Sequence, residues 1–294
     1  MLFRKITHNK KAITGYLFVA PVYISFILFV LYPLIKAVVM SFTMVGTEYV
    51  GFLGFQNYIA VFEDYAWGPS VKNTIIYSVV VVPCAIFIPF FLAAMIRRMK
   101  PIAQTFSKSA LYLPQVSSGI VMSLVWFWIY DPFNGLMNHL IGKVSIAPQI
   151  WLGSAKTALL SLILMSVFAG HGSNTLLYMA AMGGIPKSLY EVSRLEGATS
   201  WQNIRYITWP LLRPTVLYVL IMAIINSFQV FTPAYVMTSG GPGLATSTVV
   251  YKVFNDLFTY FDFGKATAEA LMLAVVIILI SAIQFKFFAS DVEY

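Results

Sequence analysis

Apolar positions in this chain come in long unbroken runs, with the polar positions gathered between them. Six runs, at about 14–40, 74–96, 110–130, 157–182, 213–237 and 267–288, are long and apolar enough to cross a bilayer, which takes about 20 residues per helix. The pattern predicts an all-α integral membrane protein of six transmembrane helices. One transmembrane domain would cover 14–288, with short tails at 1–13 and 289–294. The first run, from Tyr16 to Phe42, is too long for a signal-peptide core, and no small-residue cleavage site follows it, so it reads as a permanent span. Pro21, Pro33, Pro83, Pro89 and Pro114 fall inside runs. Spanning helices tolerate proline where neighbours satisfy the freed backbone groups, so these residues either kink the spans around a cavity or tune their packing.

Composition agrees. Of 294 residues 59% are hydrophobic and 10% charged, with a mean hydropathy of +0.80, against about 25% charged in a soluble domain. The single cysteine, Cys84, excludes an internal disulfide framework. The net charge of +8 is assigned to loops facing anionic headgroups rather than to nucleic acid. Thirteen of the nineteen lysines and arginines fall on one side of the six-span topology: Arg4, Lys5, Lys10 and Lys11; Arg97, Arg98, Lys100 and Lys108; Lys187, Arg194, Arg205 and Arg213; and Lys286. The positive-inside rule places that side, with both termini, in the cytoplasm. The opposite loops carry Tyr58, Tyr65, Trp67, Trp151 and Tyr260, as expected of an interfacial aromatic belt.

Several chemistries find no support. There is no phosphate-binding Gly-x-x-x-x-Gly-Lys-[Ser/Thr]; Gly240-Gly241-Pro242-Gly243 lacks the lysine and reads as a turn. His8, His139 and His171 lie on separate segments without metal-ligand spacing. No catalytic arrangement is evident, so the chain reads as a non-enzymatic transport subunit. Span centres hold no Asp, Glu, Lys or Arg, the residues that ion-coupled carriers bury along their path. Spans without an energy source of their own suggest a permease driven by a separate motor.

The most distinctive segment is a polar island, Ile185 to Pro214, between the fourth and fifth runs. Ser188 and Glu191 have the spacing of a capping box, after Pro186, which stops the preceding span. Leu189, Val192 and Leu195 recur at helical spacing, with Tyr190 beside them. Gly197 suits the left-handed residue that ends such a helix. Thr199 or Ser200 then caps a second short helix carrying Trp201, Ile204 and Ile207, expected to stop before Pro210. Taken alone, Glu191 serves equally as a local cap or as part of a helix laid in a partner's groove.

The run Glu191-Val192-Ser193, three residues, Gly197, nine residues, Ile207-x-x-Pro210 resembles the coupling-loop signature of binding-protein-dependent ABC import permeases. In that family the pattern is Glu-Ala-Ala, three residues, Gly, nine residues, Ile-x-Leu-Pro. Val192 replaces Ala and Trp209 replaces Leu. Ala20-Pro21 through Tyr32-Pro33 to Ser41-Phe42, Asn73-Thr74, Thr238-x-Gly240-Gly241-Pro242 and Phe263-Gly264-x-Ala266-x-Ala268 also resemble the carbohydrate-importer subgroup. Together these point to a maltose-permease-like first subunit of a permease pair.

The resemblance implies a bacterial or archaeal cytoplasmic membrane and a set of partners: a sister permease, two ABC ATPases, an external solute-binding protein and a carbohydrate substrate. ATP and Mg would be bound by the ATPases, with no cofactor in this chain. Glu191, Val192, Ser193, Gly197 and Pro210 would couple to an ATPase. Asn226 and Gln229, one helical turn apart, are candidate sugar contacts, with interhelical hydrogen bonding as the alternative. Ser166 and Gly170, expected to share a face by their i, i+4 spacing, match family contact positions more loosely. A permease for glycerol phosphate or another small solute, and an ion-coupled carrier, remain as alternatives.

Overall fold

The computed structural model describes residues 16–288; the expected tails at 1–13 and 289–294 lie outside them. The described helices are α1 (Tyr16–Thr43), α2 (Gln56–Glu63), α3 (Trp67–Ile96), α4 (Pro101–Val116), α5 (Gly119–Ile129) and α6 (Leu136–Gly142). They continue with α7 (Ala158–Phe168), α8 (Gly172–Gly183), α9 (Lys187–Leu195), α10 (Ser200–Leu211), α11 (Arg213–Phe228), α12 (Val249–Phe258) and α13 (Phe263–Phe288). The chain divides into two compact units, residues 1–61 with 255–271, and 62–254 with 272–294.

In the first unit, α1 widens into a π-turn at Ile27–Leu31, where the Tyr32 N–H bonds to the Ile27 carbonyl. Pro33 follows. A proline ring clashes with the carbonyl four residues back and has no N–H to give it, and a widened turn ahead of it relieves that conflict. None of the most apolar stretch of α1 is buried. A tight antiparallel hairpin, β1 (Met44–Val45) and β2 (Glu48–Tyr49), follows. The Asn57 amide closes the end of α1 by donating to the Ser41 and Met44 carbonyls, both at 2.8 Å. A side chain on Gly264 would place its Cβ 2.0 Å from the Met44 oxygen. That close approach accounts for the glycine in the Phe263-Gly264 pattern.

The second unit is built on α3, a helix of 30 residues and therefore about 45 Å long. Its Phe90 and Ala93 share a core with Tyr178 and Met182 of α8, Ile185, Leu212, and Val216 and Val219 of α11. Trp209 of α10 lies edge-on to Phe90 at 5.1 Å and stacks on Phe87 at 5.6 Å. The Trp that departs from the family pattern thus ties the polar island to α3.

Four described helices, or helix pairs in line, are long and apolar enough to cross a membrane, and two bent pairs raise the number to six if each forms one span. The expected second span begins seven residues earlier, at Trp67. The expected third is α4 and α5, bent by 99°, with Ser117 and Ser118 both extended and Ser118 Oγ accepting the Val121 N–H. The expected fourth is interrupted between Phe168 and Gly172. There the Gln115 side chain accepts the Ser173 N–H at 2.7 Å. A Cβ on Gly172 would lie 2.4 Å from the Leu111 oxygen. The expected fifth stops at Phe228, because Pro233 has no N–H to continue the helix. The freed Val230 carbonyl accepts the Thr248 hydroxyl at 2.8 Å.

Two patterns that are remote in sequence form one structure. The Asn73 amide donates to the carbonyls of Leu244 and Ser247 at 2.8 and 2.9 Å. Thr74 Oγ1 accepts the Val249 N–H at 3.0 Å, and the Thr238 and Thr246 hydroxyls meet at 2.7 Å. Gly240, at φ +75°, lies so close to the Tyr251 ring that a Cβ would stand 2.3 Å from it. The loop 239–248 is thereby pinned to the N-terminal end of α3.

Candidate functional site

The polar island folds as two helices joined by a sharp turn. α9 begins at Lys187, with Pro186 extended before it and its carbonyl accepting the Leu189 N–H. Ser188 is therefore the second residue of the helix, and the expected Ser188–Glu191 box does not form. A capping box forms at α10 instead, where Thr199 Oγ1 accepts the Gln202 N–H and Gln202 Oε1 accepts the Thr199 N–H. α9 ends as expected at Gly197, φ +73°. The Gly197 N–H bonds to the Arg194 carbonyl and the Ala198 N–H to the Ser193 carbonyl, at 3.1 and 2.9 Å, which is the Schellman arrangement.

α10 does not stop before Pro210. A π-turn at Ile204–Thr208 widens the helix, the Trp209 N–H reaches the Ile204 carbonyl, and the helix runs on to Leu211. This is the same accommodation as at Pro33. α10 then meets α11 at a bend of 74°, so the two helices cannot be one straight span.

α9 has two distinct faces. On one, Tyr190 is half-buried and its hydroxyl meets Thr208 Oγ1 at 2.9 Å. The Arg97 guanidinium lies over the Tyr190 ring at 5.6 Å, within the range of a cation–π contact. On the other, Leu189, Val192 and Leu195 are 42%, 58% and 89% exposed. Ser193 is tied back to its own helix, donating to the Tyr190 carbonyl at 3.0 Å. Glu191 is exposed and lines a cleft of about 650 Å³ together with Arg97, Arg98, Lys187 and Arg194. The contribution of Arg97 and Arg98, from the end of α3, was not singled out from the sequence. The available signal was the positive-inside count, which puts all four cations on one side, and the i, i+7 spacing of Lys187 and Arg194.

The candidate sugar contacts lie at or near the interrupted spans. Asn226 is in the last turn of α11, and Gln229 is its C-terminal cap, its N–H bonded to the Ile225 carbonyl; both are exposed. Ser166 is hydrogen-bonded to the Tyr77 hydroxyl at 2.6 Å. Tyr77 in turn packs with Ile163 and Val230, which brings Ser166 close to the interruption after α11. Gly170 does not share a helical face with Ser166. α7 ends at Phe168, and Gly170 sits in the gap at φ +89°, exposed. His171 is buried, its ring Nε2 against the Val167 carbonyl.

Comparison with known proteins now bears on this arrangement. A probable ABC transporter permease, YurN of Bacillus subtilis, is 31% identical over 97% of this chain and 99% of its own length. The arabinooligosaccharides transport system permease AraP of the same organism is 30% identical over 97% of this chain and 91% of its own. A solved chain from a bacterial ABC transporter involved in alginate import superposes with a TM-score of 0.85, covering 96% of this chain and 97% of that one at 22% identity, and so shares the fold. The family described as binding-protein-dependent transport system inner membrane component matches residues 74–289, from Asn73-Thr74 through the capped island to the last span, and the chain belongs to that family.

Proposed function

We propose that this chain is one permease subunit of an ATP-driven importer for a carbohydrate, an oligosaccharide rather than a monosaccharide. It crosses the membrane six times with both termini in the cytoplasm, and α9 is the coupling helix that seats on a cytoplasmic ATPase. A sister permease, a second ATPase and an external binding protein complete the machine, and ATP and Mg are held by the ATPases. The observation that carries this reading is the outward stripe of Leu189, Val192 and Leu195 on a helix whose opposite face is fixed to the protein. An amphipathic helix showing its apolar face to the outside is built for a partner's groove.

The substrate path is supported by the interruptions. Irregular backbone at membrane depth is tolerated only where it is buried in protein or lines a water-filled cavity. Gly170 and Gln229 are both exposed at such interruptions, which favours a wet pathway beside them. Uncharged amides such as Asn226 and Gln229 suit a sugar hydroxyl. The relatives add the substrate class, since one is an arabinooligosaccharide permease.

The test is uptake of labelled oligosaccharides by the assembled transporter. Glu191→Ala and Gly197→Asp are expected to abolish uptake while the chain still inserts, and Asn226→Leu to weaken sugar affinity by about tenfold, the size of one lost buried hydrogen bond, without disturbing assembly. Normal uptake and normal ATPase co-purification in both α9 variants would sink the coupling role. Unchanged sugar kinetics in Asn226→Leu would assign Asn226 to packing.

A further inference from the structure

The cleft on the inner face of α9 holds more positive charge than the chain balances. Arg97, Arg98, Lys187 and Arg194 line it, against the single carboxylate of Glu191, and none of the four forms an ion pair among the described residues. Like charges gathered in about 650 Å³ repel one another, and an anion in the cleft relieves that repulsion. The geometry is prepared for one. Arg97 is held over the Tyr190 ring, and the Tyr190 hydroxyl is fixed by Thr208. A planar guanidinium so placed suits two-point contact with a phosphate.

Depth identifies the anion. Arg97 and Arg98 follow directly on the end of α3 at Ile96, where an apolar span gives way to the headgroup layer. α10 is bent by 74° from α11 and exposes Trp201 and Tyr206, amphipathic rings of the kind that settle at the interface. Basic pockets between helices on the cytoplasmic side select anionic lipid headgroups. The apolar stripe proposed to meet the ATPase is on the other face of α9, which leaves the cleft for a different occupant.

We propose that this cleft binds the phosphate of an anionic phospholipid from the leaflet that carries the island, and that the bound lipid braces α9 against the end of α3. The inference rests on the reading that the island faces the cytoplasm.

The full-length chain in nanodiscs of phosphatidylcholine with a minority of phosphatidylglycerol provides the test, with retained lipid counted by native mass spectrometry. The wild type is expected to retain phosphatidylglycerol selectively. Arg97→Gln/Arg98→Gln is expected to lose roughly thirtyfold in that selectivity, the effect of two charges at an anionic surface. Arg97→Lys/Arg98→Lys should recover most of it, and Lys108→Gln, whose residue lies outside the cleft, should leave it unchanged. No preference in the wild type, equal loss in the Gln and Lys variants, or displacement of the lipid by inorganic phosphate would overturn the proposal. A separate arm guards the orientation: Lys187→Cys should react with an impermeant maleimide only from the cytoplasmic side. Labelling from the other side would overturn the topology, whatever the lipid result.

Discussion

Two polar loops occupy the two ends of α3, and they spend their polar groups in opposite ways. The loop 239–248 uses them internally: Asn73, Thr74, Thr238 and Thr246 are all engaged with it or within it, and Tyr251 donates to the Ser239 carbonyl at 2.7 Å. The island 185–214 turns its apolar stripe outward and leaves four cations unpaired among the described residues. A loop with its hydrogen bonds closed on itself is scaffold; one that closes its backbone and leaves its side chains open is built for a partner. The two glycines make the contrast sharp. Gly240 and Gly197 have nearly the same backbone angle, φ +75° and +73°, yet a Cβ meets the Tyr251 ring at 2.3 Å in the first and nothing within 4 Å in the second.

The largest expected effect on stability is therefore at the closed loop. Gly240→Ala should destabilise the protein by about 2–5 kcal/mol, combining left-handed strain with overpacking, read as a lowered melting temperature in detergent. Asn73→Ala should follow at about 1–3 kcal/mol, since two loop carbonyls lose their donor. Gly197→Ala meets only the backbone strain and should cost about 1–2 kcal/mol. Equal melting shifts for the two glycine variants would break the comparison. Leu195→Gln, at a side chain 89% exposed, should change stability by about 0.5 kcal/mol or less and yet lower uptake about tenfold, as expected of a lost interface anchor.

Much of this was legible in the sequence where a local rule decided the outcome. Gly197 ends α9 because a left-handed residue is needed there, and the apolar runs locate the spans because bilayer thickness sets their length. What escaped was decided by contacts remote in sequence. Ser188 has the spacing of a cap, but Pro186 starts the helix one residue too early for it. Ser166 and Gly170 share a face only on an unbroken helix, and the gap is held by Gln115, more than fifty residues away. Pro210 reads as a stop, but a π-turn carries the helix past it, as another does at Pro33. Asn73-Thr74 and the Gly-Gly-Pro turn read as two separate patterns, and only folding reveals that one holds the other.

The most direct test of the open loop as a coupling surface is Val192→Asp, placing a charge in the middle of the outward stripe at a side chain 58% exposed. The measurement is co-purification of the ATPase subunits with the inserted chain, alongside its melting temperature. The expected result is an unchanged melting temperature with the ATPase lost and uptake abolished. Retention of the ATPase together with normal uptake would contradict it.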